Sequence, residues 1–275
     1  MYVTCMKLPV LDVFIWIETQ VCEPNQDSLA TSGNHLFVPL CSVLPFMAFV
    51  IVYWGHSLFH FTTFSFGLSC GTIISFFFLS KQGASAVDDK FVISLLIGII
   101  YGMIWVGIWY NCGIPILSAS LTFLHSGVLI ACICYHFGLA DLEPFHRNGF
   151  YWSIFFGIIV ACWLILSIFT MPGHIFSCAF FGSYVLMVTT LNFWMGGNLQ
   201  YVVINVYRRI CVPNFNDVIL DPPFQPRDFF VALLGIFFVA HGFYKQLKNQ
   251  AGRPPFPPHI SHRYGVETTP LLGAY

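Results

Sequence analysis

The sequence predicts an all-α integral membrane protein with seven transmembrane helices, arranged as three tight hairpins plus one C-terminal helix. Hydrophobic residues make up 57% of the 275 residues and charged residues only 8%, whereas a soluble domain carries roughly 25% charged residues. The stretch from Phe91 to Phe137 contains no Asp, Glu, Lys or Arg. It is long enough for two helices of about 20 apolar residues, the length that spans a bilayer. A lipid environment favours helices, because their backbone N–H and C=O groups pair within one segment.

The order of polar and apolar stretches divides the chain into three parts. Residues 1–35 form a short polar segment that we expect on the lumenal or extracellular side. Residues 36–245 form the membrane domain, which includes a surface segment at residues 196–228. Residues 246–275 form a Pro-rich cytosolic tail that we expect to be disordered.

Seven apolar stretches of the membrane domain have the length and composition of membrane spans. The first six are joined in pairs by three very short links, at Gly55-His56, Asn111-Cys112 and Met171-Pro172-Gly173. Longer polar links separate the pairs, so the sequence predicts three hairpins and then a single helix. The predicted spans are Leu36–Trp54, Ser57–Leu79, Phe91–Tyr110, Gly113–Phe137, Phe150–Thr170, His174–Met195 and Phe229–Tyr244.

Glycines four residues apart mark helix faces that we expect to pack closely. Gly67 and Gly71 form one G-x-x-x-G pattern, and Gly98 and Gly102 form another. Such spacing lets two membrane helices approach each other. We interpret both patterns as contacts within the bundle, with homodimerisation as the alternative.

The polar link before the last span contains one amphipathic stretch. Residues Leu199 to Ile210 combine apolar residues with polar Gln200, Asn205, Arg208 and Arg209. We predict a helix that lies on the membrane surface rather than across it.

The orientation of the bundle is predicted from its charges and its tail. Seven Lys and Arg residues lie on the N-terminal side of the membrane and four lie in the tail, a count that favours a cytosolic N-terminus. The tail also contains Glu267 followed by Leu271 and Leu272, a spacing typical of an endosomal or lysosomal signal that sorting adaptors read in the cytosol. We give the tail more weight and predict a cytosolic C-terminus.

Histidines are the ionisable groups in or beside the predicted spans. The predicted spans contain or end near His60, His125, His136, His174 and His241. Ionisable groups inside a membrane mark functional sites by default, and the candidate intramembrane polar residues are His60, His125 and His241. No Asp or Glu lies within any predicted span, although proton relays and cation pathways usually need one. We interpret the histidines as hydrogen-bond partners between helices, with a proton relay as the alternative.

The sequence offers little support for a metal, a cofactor or catalysis. Cys132 and His136 lie on one helical face, but two ligands do not close a zinc site, so we predict neither metal nor cofactor. The chain lacks G-x-S-x-G, H-E-x-x-H and P-loop motifs, and we expect no enzymatic activity. Its net charge of −1 provides no basic patch for nucleic acid.

Longer motifs along the chain carry a resemblance to a known family. In chain order they are Tyr53-Trp54-Gly55-His56-Ser57-Leu58-Phe59, Trp109-Tyr110-Asn111-Cys112-Gly113-Ile114, Phe145–Trp152, Gly182-Ser183-Tyr184, Tyr201–Arg209, Pro223–Phe229, Gly252–His259 and Thr269-Pro270-Leu271-Leu272. With these motifs the chain resembles the transmembrane 7 superfamily member 3 family and, more distantly, the transmembrane protein 198 family.

This resemblance implies a fold and a biological role, but no catalytic residues. It implies seven spans, an N-terminus outside the cytosol and a cytosolic tail. It also implies roles in cell survival, in protein-folding homeostasis such as the unfolded protein response, and in secretion. Family members carry a long glycosylated ectodomain after a signal peptide, whereas residues 1–35 are short and the chain has no N-x-S/T sequon. We therefore expect the chain to be truncated at its N-terminus.

These observations favour a non-catalytic multi-pass protein of the plasma membrane or an endomembrane, either endosome, lysosome or endoplasmic reticulum. Its expected partners are the lipid bilayer, sorting adaptors and further proteins that the sequence does not name. The alternative is a transporter or channel built from helical-hairpin repeats. A G-protein-coupled receptor fits poorly, because very short and longer links alternate along this chain.

Overall fold

The computed structural model describes residues 34–81, 87–139, 142–190, 198–211 and 226–257. Within these ranges all regular secondary structure is helical and no strand occurs, which confirms the all-α prediction. The helices are α1 (Asn34–Trp54), α2 (Phe59–Lys81), α3 (Val87–Cys112), α4 (Pro115–His136), the 3-10 helix η1 (Glu143–His146), α5 (Asn148–Ile168), α6 (Thr170–Thr189), α7 (Tyr201–Cys211) and α8 (Pro226–Gln250).

The long helices coincide with the predicted membrane spans. Six of them, α2 to α6 and α8, are long and apolar enough to cross a bilayer. α1 extends over 21 residues, and its second half, Val43–Trp54, is apolar throughout. Their outward faces carry large exposed apolar side chains, such as Leu96, Ile100 and Met103 of α3. Such faces need lipid as their solvent, so the chain is an integral, multi-pass membrane protein.

Short turns join the helices at one end of the bundle, which we call the tail end because α8 also finishes there. α1 and α2 are joined by residues 55–58, α3 and α4 by Gly113 and Ile114, and α5 and α6 by Phe169 alone. Gly113 has a φ of 62°, a left-handed conformation that ends a helix and favours glycine. The opposite end of the bundle carries η1 and α7.

Two predicted links lie within helices instead. The link predicted at Asn111-Cys112 forms the end of α3, and the turn follows at Gly113 and Ile114. We predict a link at Met171-Pro172-Gly173, but α6 already begins at Thr170. Pro172 lies in the first turn of α6, where its missing N–H removes no helical hydrogen bond. Gly173 allows close approach instead of a turn, since a Cβ there would lie 2.5 Å from the carbonyl oxygen of Leu166 in α5.

The helices that pack most extensively are not those joined by the short turns. α2 lies along α3, α4 lies along α5, and α6 packs against α1, α8 and α4. Each of the pairs α2/α3 and α4/α5 is connected by a longer link at the opposite end. A short turn between two helices therefore does not make them the most extensively packed pair.

Close packing of α2 on α3 depends on the two G-x-x-x-G patterns, which face each other. A Cβ on Gly67 would lie 2.7 Å from the Cα of Gly102, and a Cβ on Gly71 would lie 2.9 Å from the Cα of Gly98. Glycine is the residue that permits backbones this close. The interpretation of these patterns as contacts within the bundle is confirmed.

The helix predicted for the surface segment is confirmed as α7. It packs against α4, and its residues Val202 and Val206 are buried in a cluster with Tyr135, Phe145 and Tyr151. The apolar face of α7 is therefore covered by protein at the opposite end of the bundle.

Candidate functional site at the tail end of the bundle

Buried polar side chains from three parts of the chain meet at the tail end. They are His56 in the turn between α1 and α2, His174 in α6 and Gln246 in α8, and they are 3%, 0% and 2% exposed. Polar groups buried this deeply need hydrogen-bond partners. Each of the three bonds to an element other than its own.

Gln246 attaches α8 to the end of α1. Its Oε1 accepts a hydrogen bond of 2.8 Å from the backbone N–H of His56, and its Nε2 donates one of 2.6 Å to the carbonyl oxygen of Val52. Gly242, one turn earlier in α8, permits this approach, because a Cβ there would lie 2.8 Å from the same carbonyl oxygen. The turn that carries His56 is thus held in place by α8.

His56 makes one hydrogen bond with each of its ring nitrogens. Its Nε2 lies 2.8 Å from the carbonyl oxygen of Pro255, which can only accept, so Nε2 carries a proton. Its Nδ1 lies 3.1 Å from Nδ1 of His174. In neutral His56 this Nδ1 is the acceptor, and His174 is the donor. The pair is therefore satisfied when both rings are neutral.

Burial favours the neutral form of His56. It lowers the pKa of His56 below its ordinary value of 6.5, and the hydrogen bond to Pro255 opposes this in part. Loss of hydration disfavours the charged imidazolium. Among the described residues no carboxylate contributes to the pKa of His56.

The chain reaches this site by turning back after α8, over residues 251–257, which we call the return segment. Gly252 has a φ of 77°, and the backbone N–H of Arg253 donates a hydrogen bond of 3.0 Å to the carbonyl oxygen of Gln250. The Gln250 side chain donates to the carbonyl oxygen of Pro254. Two prolines with fixed φ then direct the chain onto the bundle.

The aromatic ring of Phe256 fills a pocket of four rings. The ring centroid lies 5.4 Å from that of His56, 5.5 Å from Phe59, 6.2 Å from Trp109 and 6.4 Å from His174. Aromatic pairs at these distances contribute about 0.5–1.5 kcal/mol each beyond the area they bury. We call these four residues the ring pocket.

The expectation of a disordered tail is wrong for its first part. α8 continues to Gln250, and the return segment is fixed by the contacts of Phe256 and its neighbours. Composition alone predicts disorder here, because Pro-rich stretches lack a core of their own. Here the apolar side chain of Phe256 packs against the ring pocket of the bundle. Residues 258–275 lie outside the described residues.

His125 lies in the middle of α4 and joins it to α2. Its Nδ1 is 2.8 Å from the carbonyl oxygen of Leu121, an acceptor, so Nδ1 carries the proton. Its Nε2 then accepts a hydrogen bond from the hydroxyl of Ser69, 3.0 Å away. The ring lies between those of Phe66 and Phe181, with centroids 5.0 and 5.4 Å away.

The other two predicted histidines lie elsewhere. His241 in α8 has its Nδ1 3.1 Å from the hydroxyl oxygen of Tyr53 in α1, a second hydrogen bond between helices. His60 is half-buried, and its ring stacks on Tyr110 with centroids 5.2 Å apart. The three predicted histidines thus contact three different places and form no common site.

A row of hydroxyls without partners runs along the inner face of α4. Ser118, Thr122 and Ser126 lie four residues apart, and all three are fully buried. Their hydroxyl oxygens have no hydrogen-bond partner in the described part of the chain, and the same holds for Ser177 and Ser183 of α6. Buried hydroxyls are normally bonded, so these side chains of α4 and α6 are exceptions. We call Ser118, Thr122 and Ser126 the hydroxyl row.

Arg209 of α7 fixes the opposite end of the bundle. Its Nη2 donates hydrogen bonds to the carbonyl oxygen of Phe145, at 2.8 Å, and to Oδ1 of Asn148, at 3.2 Å. Its guanidinium carbon lies 3.8 Å from the centroid of the Tyr151 ring, a cation–π contact. One side chain thereby joins α7, η1 and the start of α5.

Two further predictions concern ligands and the tail. Within the described ranges no three His, Cys, Asp or Glu side chains are placed to hold a metal ion. The proposed sorting signal of Glu267, Leu271 and Leu272 lies outside the described residues.

Comparison with known proteins assigns the family. The TM7S3/TM198-like domain matches residues 41–247, which include α2 to α7 and most of α1 and α8. The chain belongs to the TM7S3/TM198-like family. The resemblance stated from the sequence motifs is therefore confirmed. No solved structure matches the chain.

Curated relatives match over most of this chain. Transmembrane 7 superfamily member 3 from Homo sapiens is 25% identical over 251 residues, which cover 90% of this chain and 43% of the relative. The protein of the same name from Rattus norvegicus is 28% identical over 210 residues, covering 75% of this chain and 36% of the relative. The chain thus spans less than half the length of the curated relatives it matches.

The TM7S3/TM198-like domain contains the ring pocket but not its occupant. All four pocket residues lie within residues 41–247, whereas Phe256 lies beyond them. His56 is not among the histidines of the predicted spans, and His174 is among them but is not one of the three candidates. The signal that could have found them is that both lie at or soon after short turns, and that these turns meet at one end of the bundle.

Proposed function

We propose that this chain is a non-catalytic membrane protein that supports protein-folding homeostasis and cell survival in the secretory pathway through contacts with protein partners. Family membership supports this role, because the family resemblance implies survival under stress. The observation that carries the non-catalytic part is that the buried side chains of His56, His174 and Gln246 bond to neighbouring elements of the bundle. Groups used in this way hold helices together and leave little capacity for chemistry.

The test of this role is rescue of survival in cells that lack the endogenous protein. Cells are treated with tunicamycin, which blocks N-glycosylation and causes unfolded proteins to accumulate in the endoplasmic reticulum. We expect the wild-type chain to restore viability. A control variant with a disrupted bundle, Gly102→Ile, is expected not to do so. Failure of a correctly located wild-type chain to improve survival would contradict the proposal.

We also propose that the tail is cytosolic and that the protein resides in the plasma membrane or an endomembrane. Seven spans put residues 1–35 and the tail on opposite sides, which supports a lumenal or extracellular N-terminus. Sorting adaptors would read Glu267, Leu271 and Leu272. A C-terminal tag that stains only after permeabilisation, and moves to the cell surface in a Leu271→Ala/Leu272→Ala variant, is the expected result. Staining of intact cells would reverse the orientation.

A transporter or channel is the second candidate, and the hydroxyl row favours it. Ser118, Thr122 and Ser126 are buried hydroxyls without partners in the described chain, and polar groups inside a membrane often line a pathway. Ion flux into vesicles that contain the purified chain tests this candidate. Specific flux that His125→Ala or His60→Ala abolishes would support transport and contradict the role proposed above.

A further inference from the structure

We propose that the ring pocket is a peptide-recognition site for Pro-Pro-Phe segments of partner proteins, and that the return segment is its built-in competitor. This inference does not depend on the role in cell survival. It concerns the chemistry of one surface at the tail end of the bundle.

Contacts within the bundle also position the residues of the ring pocket. His56 is held by Gln246 through its backbone N–H and by His174 through its Nδ1. The Phe59 ring lies 5.0 Å from that of Trp109 and 5.1 Å from that of His174. A pocket that is already formed loses little entropy when a ligand enters, which favours binding.

The features that the pocket recognises occur in any proline-aromatic segment. Nε2 of His56 donates to a backbone carbonyl, that of Pro255, which every residue possesses. The ring of Phe256 enters the pocket, with its centroid 5.4 Å from that of His56 and 5.5 Å from that of Phe59. Consecutive prolines hold a segment extended before it binds, which lowers the entropic cost of recognition.

The return segment is held at few points, so it can leave. Arg253, Pro254 and Pro255 are exposed, and Phe256 itself is only partly buried. Its attachments to the pocket are the hydrogen bond of Pro255 and the ring contacts of Phe256. The return segment is also tied to the pocket by α8, which raises its effective concentration there. A partner segment must therefore compete with it, and this competition makes the contact autoinhibitory.

The side chain that enters the ring pocket must be uncharged, whereas Arg253 of the return segment is exposed. The titratable groups that face His56 and its partner are His174 and, 3.6 Å from Nδ1 of His174, the thiol of Cys178. The groups supplied by α8, α2 and the return segment are Gln246, Phe59 and Phe256, none of which titrates. An acidic or basic side chain placed here would be buried without a countercharge.

A peptide-binding experiment on the full-length chain tests the proposal. The probe is a fluorescent peptide with the sequence of residues 251–258, AGRPPFPP, added to the purified protein in detergent. We expect it to bind the Phe256→Ala variant at least tenfold more tightly than the wild type, whose pocket is occupied. A peptide with Ala in place of Phe is expected to bind about tenfold more weakly, since one aromatic contact carries much of the affinity.

Matched variants locate the binding. In the Phe256→Ala background, His56→Ala is expected to abolish peptide binding. His136→Ala is expected to leave it unchanged, because His136 is the last residue of α4, at the opposite end of the bundle. Thermal unfolding of each variant verifies that it is folded. If Phe256→Ala does not fold, Gln250→Ala opens the pocket more mildly by removing the hydrogen bond to Pro254.

Three results would overturn the proposal. The first is no peptide binding by a folded variant with an open pocket. The second is binding that is equal in the wild type and Phe256→Ala, or that survives His56→Ala. The third is a wild-type dimer that Phe256→Ala converts to a monomer, which would mean that the segment is exchanged between two copies of this chain.

Discussion

Single buried polar residues decide which elements touch in this bundle. His56 joins the α1–α2 turn to α6 and to the return segment, and His125 joins α4 to α2. Removal of one partner leaves the other buried without a hydrogen bond, which costs about 1–3 kcal/mol. Stability should therefore respond to these residues more strongly than to half-exposed neighbours of the same type.

Replacement of His125 by Ala is expected to lower the free energy of unfolding by about 2–4 kcal/mol. The variant loses the hydrogen bond to Ser69 and leaves a cavity between Phe66 and Phe181. Thermal unfolding of the purified protein in detergent measures the effect. His60→Ala is the control and should change the Tm much less. Equal losses would mean that His125 does not hold the two helices together.

The docking of the return segment is expected to weaken in acid. Burial lowers the pKa of His56 below 6.5, so the neutral, docked form is fully stable above pH 6.5. Release of the return segment uncovers part of the His56 ring, and desolvation is the larger cause of the lowered pKa. The released form therefore binds protons more readily, and docking loses stability as pH falls below 6.5. The difference in Tm between wild type and Phe256→Ala should shrink between pH 7.5 and pH 5.5.

The control for this pH effect is Phe46→Ala, at a side chain that is 70% exposed on α1. Its effect on the Tm should not depend on pH. If the Phe256→Ala effect stayed constant as well, His56 would not be the group that links docking to pH.

Among the elements, the contact between α2 and α3 depends most strictly on residue size. Two pairs of glycines face each other there, and side chains larger than hydrogen have no room. α3 provides its own control, because a Cβ added at Gly107 would meet no atom within 4 Å. Position along the same helix, rather than the residue type, should determine the outcome.

Gly102→Ile is expected to destabilise the bundle by about 3 kcal/mol or more, since overpacking of this kind forces backbones apart. Gly107→Ile should be close to neutral. Size-exclusion chromatography and the Tm of both variants in detergent measure the difference. If Gly102→Ile kept its Tm but changed from dimer to monomer, the glycines would serve homodimerisation instead.

Arg209→Lys is expected to loosen α7 and cost about 1–3 kcal/mol. A lysine has no planar fork with which to bond both Phe145 and Asn148 while lying on the Tyr151 ring. Hydrogen exchange of residues 201–211 should rise in this variant. Arg147→Lys, at an exposed side chain, is the control. Unchanged exchange in Arg209→Lys would show that the apolar face of α7 is sufficient.

At the scale of the whole molecule, composition and span length predict the helices well, but they do not predict the packing partners. The absence of charges between Phe91 and Phe137 is a local property, and α3 and α4 follow from it. The glycine patterns correctly indicate close contacts within the bundle. The ring pocket combines His56, His174 and Phe256, which are far apart in the sequence. A single sequence contains no local signal that predicts contact between residues so far apart.

The role proposed above requires a packed bundle interior, with polar residues that join helices rather than line a water-filled path. Chemical access to Ser126, a fully buried member of the hydroxyl row, is the measurement that distinguishes these two states. Membranes open on both sides and containing Ser126→Cys are treated with a membrane-impermeant thiol reagent, and the modified peptides are identified by mass spectrometry. We predict that exposed Cys112 is modified and Ser126→Cys is not. Modification of Ser126→Cys at a rate similar to that of Cys112 would reveal a water-filled pathway and contradict a packed interior.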